Sequence, residues 1–397
     1  MNIRQSYLIF LTCLIVIIAV LFLALYSPPA GSGQAGTKGA VYLVYTSTGS
    51  MSQLLDSGQI DAFIVWESVV STATMSGSGK MVANTAEIPP PGEWSDAACC
   101  VFVLRNDTIE QNPDVVALLS ALTTAAVDRI NEDPSLAENI TAKWVYGTKP
   151  ILTMNGSLEP DDVEEHAFNN INFTSDVDPP AITNVAVEKE GTVTTQTVAF
   201  AMNPTVAAKG RQFLNKTLPL PTIENVPTIS LGYLPTSDHT APLYVMVEDS
   251  DYFCEQYGFC LVPDNAQQSR PDQCTLLVNG TPAAHVNLVP GSSGGGIMTT
   301  VGQKALDGAY IGSVPVELQI NLGNPSSMIQ SINSGGTGLV VADNAPCSDW
   351  NSFVGWAKTR SKDGKPLVIA TVQSSIQEEM IRNAMSYENM SVIMYGA

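Results

Sequence analysis

Ile229-Ser230-Leu231-Gly232-Tyr233-Leu234-Pro235-Thr236-Ser237-Asp238-His239-Thr240-Ala241-Pro242-Leu243-Tyr244-Val245-Met246-Val247-Glu248-Asp249 is the stretch that decides how this chain is read. The apolar run 229–234 predicts a strand and 235–241 a polar loop. A helix over 242–249 opens on proline, whose missing N–H leaves no bond unmade in a first turn. The same order returns towards the C-terminus. Predicted strands at 286–289, 308–312, 339–342 and 367–370 are each followed by a loop and a helix, at 297–306, 316–321, 350–359 and 376–386, and 392–395 closes as a strand. Towards the N-terminus, strands are expected at 41–45, 60–66 and 99–104, and helices at 51–57, 115–131, 134–144 and 160–170. Between 185 and 227 the pattern weakens into a partly structured connector. Alternation at this spacing means an α/β fold, with sheets covered by helices.

Composition narrows the function classes. With 397 residues, 45% apolar and 14% charged, the chain is long enough for two lobes and too apolar for disorder. Its net charge of −20, with 18 unclustered cations, excludes nucleic acid as a partner, because phosphates need Lys and Arg. Residues 6–26 are uncharged and dominated by Leu, Ile, Val and Phe, long enough to span a bilayer, with Arg4 before them. The expectation is an uncleaved transmembrane anchor over 6–26 and a flexible tether over 27–39, the rest lying outside the cell; a cleaved signal peptide is the competing reading. Six cysteines follow the run. Cys254 and Cys260 bracket a short loop and make the best disulfide pair, with Cys274 able to compete. Cys99 and Cys100 alternate faces if they lie on a strand. No Cys-x-x-Cys spacing occurs and only three histidines are present, so the sequence predicts no metal site and no cofactor.

The candidate binding residues lie in the loops that follow strands, where open α/β sheets take ligands. They are Thr236, Asp238 and His239; Ser292 and Ser293; Ser313; and Ser374 and Ser375. Small residues there expose backbone N–H groups at a helix start, suited to an anion or polar group. Trp66 and Glu67 end the 60–66 strand and join the set, the indole for stacking and the carboxylate for a ligand donor. The bland alternatives are helix caps for the serines, core packing for Trp66 and a loop-ordering pair for Asp238 and His239. Gly291-Ser292-Ser293-Gly294-Gly295 also fits a nucleophile elbow, but no histidine follows His285 to act as base.

Several of these segments resemble the substrate-binding proteins of ABC importers of the nitrate/sulfonate/taurine type, in the periplasmic-binding-protein type II superfamily. Gly232-Tyr233-Leu234-Pro235 through Val245 looks like the family's first strand and helix. Asp307-Gly308-Ala309-Tyr310-Ile311-Gly312-Ser313-Val314-Pro315 is similar to its Asp-x-Ala-x-x-Gly-x-x-Pro element. Lys365 to Thr371 with Ser374-Ser375-Ile376-Gln377 looks like its Gly-Lys-x-Ile-Ala…Gly-Ser-x-Gln motif, with Ser374 where glycine is usual. Gly58 to Glu67 looks like its Gly-Gln-Ile-Asp-Ala-Phe strand. In that family the first motif opens the protein and the last lies past the middle. Here the order is inverted, which suggests a circular permutation. Residues 40–97 and 344–397 would form the second lobe, 98–185 and 228–343 the first, and 186–227 the connector. Either terminal strand, 41–45 or 392–395, is able to fill one shared slot.

What the resemblance implies is a two-lobed, non-enzymatic binding protein outside the cell. It would deliver a small polar or oxyanionic solute to an ABC permease and its ATPase by lobe closure. No Lys or Arg falls in the predicted loops, so an anion would rely on backbone N–H groups and hydroxyls. The alternatives are a surface sensor or adhesive module on the same fold, and a serine hydrolase using Ser293.

Overall fold

The computed structural model describes residues 39–189 and 192–396. The expected anchor over 6–26, and all of the tether but Gly39, lie outside the described residues. Among the described residues no helix is long and apolar enough to cross a membrane. Two large sheets organise the rest in a mixed α/β fold.

Ala62-Phe63-Ile64-Val65-Trp66 is buried at every position, as expected of a strand covered on both faces. It lies inside a six-stranded sheet ordered Ser391–Met394, Ala40–Tyr45, Val368–Thr371, Ala62–Trp66, Thr337–Ala342 and Gly79–Asn84. The first four strands run parallel, and Thr337–Ala342 runs antiparallel to both of its neighbours. Both terminal strands therefore enter one sheet of one chain. Ala40–Tyr45 takes the inner place, with Val41 and Leu43 fully buried, and Ser391–Met394 takes the edge. Thr337–Ala342, which the sequence reading grouped with the first lobe, belongs to this sheet instead.

The second sheet has eight strands, ordered Phe259–Pro263, Gln273–Val278, Thr281–Pro290, Thr228–Tyr233, Gly308–Gly312, Ala98–Arg105, Ser326–Gly335 and Ile171–Asn172. Thr228–Tyr233 pairs parallel with both neighbours, whereas Ala98–Arg105 runs antiparallel between its own. The strands Phe259–Pro263, Gln273–Val278 and Ser326–Gly335 escape the strand–loop–helix pattern because they pair antiparallel with their neighbours instead of following a parallel crossover. Cys254, in the helix Ser250–Tyr257, is disulfide-bonded to Cys260 in the next strand, their Cα atoms 4.9 Å apart. Cys274 is buried and free.

Further elements lie in segments where the sequence shows no clear strand–helix alternation. Glu67–Met75 is a helix despite its Ser and Thr content: it packs on Pro160–Phe168, and its hydroxyls are satisfied on the helix's own carbonyls, Thr72 Oγ1 donating to Ser68 O and Thr74 Oγ1 to Val70 O. In the connector, Ile182–Lys189 and Thr192–Val198 form a hairpin and Pro204–Leu214 a helix capped by Asn203. That helix packs on Pro113–Glu132, and Gly210 permits the approach: a Cβ there would lie 2.8 Å from Ala117 O. Pro113–Glu132 is buried along most of its length, because it is held between this helix, the sheet and Ala241–Glu248.

The chain crosses between the sheets at two places that lie side by side. One crossing runs from Gly79–Asn84 to Ala98–Arg105, the other from Ser326–Gly335 to Thr337–Ala342. The second turns on Gly335 and Gly336, at φ of 73° and 69°, a region open to glycine at little cost. Thr85 Oγ1 accepts from Thr337 N at 3.0 Å, joining the two crossings.

Candidate functional site

Two serine-capped helices bring the loops of the two sheets together. After Thr281–Pro290, Ser293 Oγ accepts from Gly296 N at 3.2 Å and opens the helix Gly294–Gly302. After Val368–Thr371, Ser375 Oγ accepts from Glu378 N at 3.1 Å and opens Ile376–Tyr387. Both are helix caps in the ordinary sense. Between them is a cavity of about 50 Å³ walled by both sheets, including Trp66, His239, Ser292, Ser293, Ser374 and Ser375. It shares Trp66, Ser292, Ser293 and Ser374 with a more open space of about 550 Å³ that adds Thr236 and Tyr45. The Trp66 indole N–H reaches across to Thr236 O at 3.4 Å. No Lys or Arg lines either space.

Seven of the ten sequence-predicted residues therefore line this cleft: Thr236, His239, Ser292, Ser293, Ser374, Ser375 and Trp66. The other three are buried outside these two linings. Ser313 Oγ donates to Ala98 O at 2.8 Å, Asp238 Oδ1 accepts from His239 N at 2.9 Å, and Glu67 Oε2 accepts from Ser71 Oγ at 2.9 Å. Burial keeps Glu67 protonated, its pKa pushed up to about 8, and Asp238 is raised for the same reason. Glu164, on the helix Pro160–Phe168, joins this acidic group; its pKa lies well above the usual carboxylate range through desolvation and the charge of Asp238. Neither of its oxygens has a hydrogen-bond partner among the described residues. Ser71 Oγ also meets His166 Nδ1 at 3.0 Å, which ties that helix to Glu67–Met75.

The residues the sequence reading missed are Cys99, Cys100 and Gln377, all of which line the cavity. Cys99 Sγ lies 3.2 Å from His239 Nδ1 and Cys100 Sγ 3.9 Å from the same atom. Adjacent residues of a regular strand point to opposite faces. Here the pairing register of Ser326–Gly335 shifts on both sides of Asn333, which faces Cys100 while Ser334 faces Ala98. Such irregularities re-aim side chains. Hydrogen bonding with Cys100, against the cost of burial and aided by the His239 charge, brings the Cys99 thiol down to about 5. Burial alone lowers the pKa of His239, but the Cys99 thiolate, Asp238 and Glu67 outweigh it and raise the imidazole to about 9. Both shifts favour the charged form of the pair, a thiolate against an imidazolium. His239, engaged by Cys99 at Nδ1 and by Gly336 O at Nε2, is not free to serve Ser293 as a base.

Comparison with known proteins gives this geometry a family. Over 110 residues the chain is 33% identical to an uncharacterized protein of Methanocaldococcus jannaschii, covering 28% of this chain and 72% of that protein. No solved structure matches. The model of the NMT1-like family matches residues 33–145 and 223–392; these stretches hold every residue lining the cavity and the strands of both sheets, apart from Ile171–Asn172 and the second half of Ser391–Met394. Residues 146–222, with the Pro160–Phe168 and Pro204–Leu214 helices, fall outside the match. On a match covering well over half its length, the chain belongs to the NMT1-like family, whose members are substrate-binding proteins of the nitrate, sulfonate and taurine type.

Proposed function

We propose that the protein is an extracytoplasmic solute-binding protein, held at the membrane by residues 6–26, that passes a small oxygen-rich solute to an ABC permease. The observation that carries this reading is the pairing of two serine-capped helix starts, one from each sheet, across a cavity with no cationic side chain. Helix N-termini and hydroxyls supply N–H and O–H donors there, which suits a nitrate-, sulfonate- or taurine-like oxyanion or a neutral polar solute. The two sheets are the two lobes. The adjoining crossings at Gly335–Gly336 and after Asn84 act as the hinge, and the small cavity corresponds to a closed arrangement.

The inverted order of the family's segments supports a circular permutation. In this reading the polypeptide is opened beside Ala40–Tyr45, and the family's usual ends are joined through the unmatched interval 146–222. The test of function is a thermal-shift panel of nitrate, alkylsulfonates, taurine and uncharged analogues on the full chain. A true solute at a hundred times its Kd stabilises by about 2.7 kcal/mol, without turnover. A panel in which no member raises the melting temperature counts against transport-type binding.

A further inference from the structure

Cys99 Sγ, Cys100 Sγ and His239 Nδ1 form a cluster whose three donor atoms all lie within 4.8 Å of one another at the wall of the cleft. We propose that they are a three-ligand site for a thiophilic divalent ion of the zinc class, with the fourth coordination position open to the cavity. The site stands whether or not the cleft receives a solute.

Donor type comes first. Two sulfurs and one imidazole nitrogen select borderline-soft ions over calcium or magnesium, and three protein ligands with one open position is the arrangement of reactive zinc sites. Spacing agrees. Zinc bonds of about 2.3 Å to sulfur and about 2.0 Å to nitrogen, at tetrahedral angles, put nitrogen and sulfur about 3.5 Å apart. The observed separations of 3.2 Å and 3.9 Å lie on either side of that value.

The surroundings are those of a ligand held in place. His239 Nε2 meets Gly336 O at 3.0 Å, so Nε2 carries the proton and Nδ1 faces the sulfurs, the outer-shell bond that orients a ligating imidazole. Gly336 makes that contact possible, because a Cβ there would collide with the His239 ring. Gln377 Nε2 lies 4.0 Å from Cys99 Sγ and donates to Thr337 Oγ1 at 2.9 Å, while Cys100 N donates to Asn333 Oδ1 at 3.0 Å. Cys99 is 2% exposed and Cys100 9%, and both line the cavity, which leaves the open position facing it. Proton balance follows: Cys99 and His239 share one proton and Cys100 holds another, so each ion bound sends two protons to solvent.

The experiment uses the reduced full chain titrated with Co²⁺ and then Zn²⁺. The expected result is one Co²⁺ per chain, bound with release of two protons and with thiolate-to-metal charge-transfer absorption, then displaced by Zn²⁺ with no further proton release. Cys99→Ser/Cys100→Ser abolishes the band, His239→Gln weakens binding by more than about tenfold, and Cys274→Ser/Cys347→Ser leaves it unchanged. Because the first variants remove buried groups, zinc-edge X-ray absorption on the unaltered protein supplies a reading independent of their folding, with two sulfur scatterers expected. The proposal is overturned by the absence of the band in the reduced wild type, by its loss in the Cys274/Cys347 variant, or by an oxygen- and nitrogen-only zinc shell.

Discussion

Glu67 has no exposed surface, and its carboxyl holds its proton up to about pH 8, against an ordinary value of 4.5. Between those two values the folded chain binds more protons than the unfolded one at this site. Its contribution to stability is therefore complete below pH 4.5 and is lost as pH rises through 8. Asp238 and His239 face it from one side and Glu164 acts on it from the helix Pro160–Phe168. The ceiling on the effect is about 5 kcal/mol. Glu67→Gln keeps the shape without the titration, so urea midpoints of variant and wild type should diverge in the variant's favour as pH climbs from 5 to 9. A pH-independent difference would remove the buried acid from the account. Sequence placed Glu67, Asp238 and Ser313 at the cleft because polar residues at strand ends usually face solvent. The fold buries them against partners from segments remote in the chain, or on their own helix. Cys99 and Cys100 were illegible for a different reason: strand periodicity sends neighbours to opposite faces, and only the register shift opposite Asn333 brings both thiols to one imidazole. The capping serines were legible because a cap is a local property of strand, turn and helix.

The two terminal strands make unequal contributions although the sequence offers them as equivalent. Leu43 is fully buried between Val368–Thr371 and Ser391–Met394, whereas Ile393 is 45% exposed on the edge. Leu43→Ala should cost about 2–5 kcal/mol in chemical denaturation, and Ile393→Ala less than about 1 kcal/mol. Equal losses would mean the edge strand is packed as tightly as the inner one. Elements with a parallel crossover were readable from their alternation of apolar strand and helix, and their bounds fell within a few residues. Those resting on tertiary contacts were not. The Ser- and Thr-rich helix Glu67–Met75 has little propensity of its own and is secured by packing on Pro160–Phe168. Phe259–Pro263 and Gln273–Val278 carry no strand–helix alternation to read, because they are joined to each other and to Thr281–Pro290 as antiparallel neighbours.

Across the whole molecule, 38 acidic residues face 18 basic ones, so self-repulsion outweighs the ion pairs that salt also screens. Raising NaCl from about 20 mM to about 0.5 M should lift the melting temperature by about 2–4 °C. A fall would show that individual pairs such as Lys143–Glu248 and Arg129–Asp249 dominate instead. The parallel pairing of Ala40 with Ser391 through Leu43 with Met394 also fixes how the molecule bears load. Traction on the chain before Ala40 and after Met394 draws two adjacent parallel strands in opposite directions along their own axes. Every hydrogen bond between them is then strained together, including Ser391 N to Gly39 O and Tyr395 N to Leu43 O, each at 2.8 Å. The joint resists by shear, where a hairpin at the same place would unzip one bond at a time.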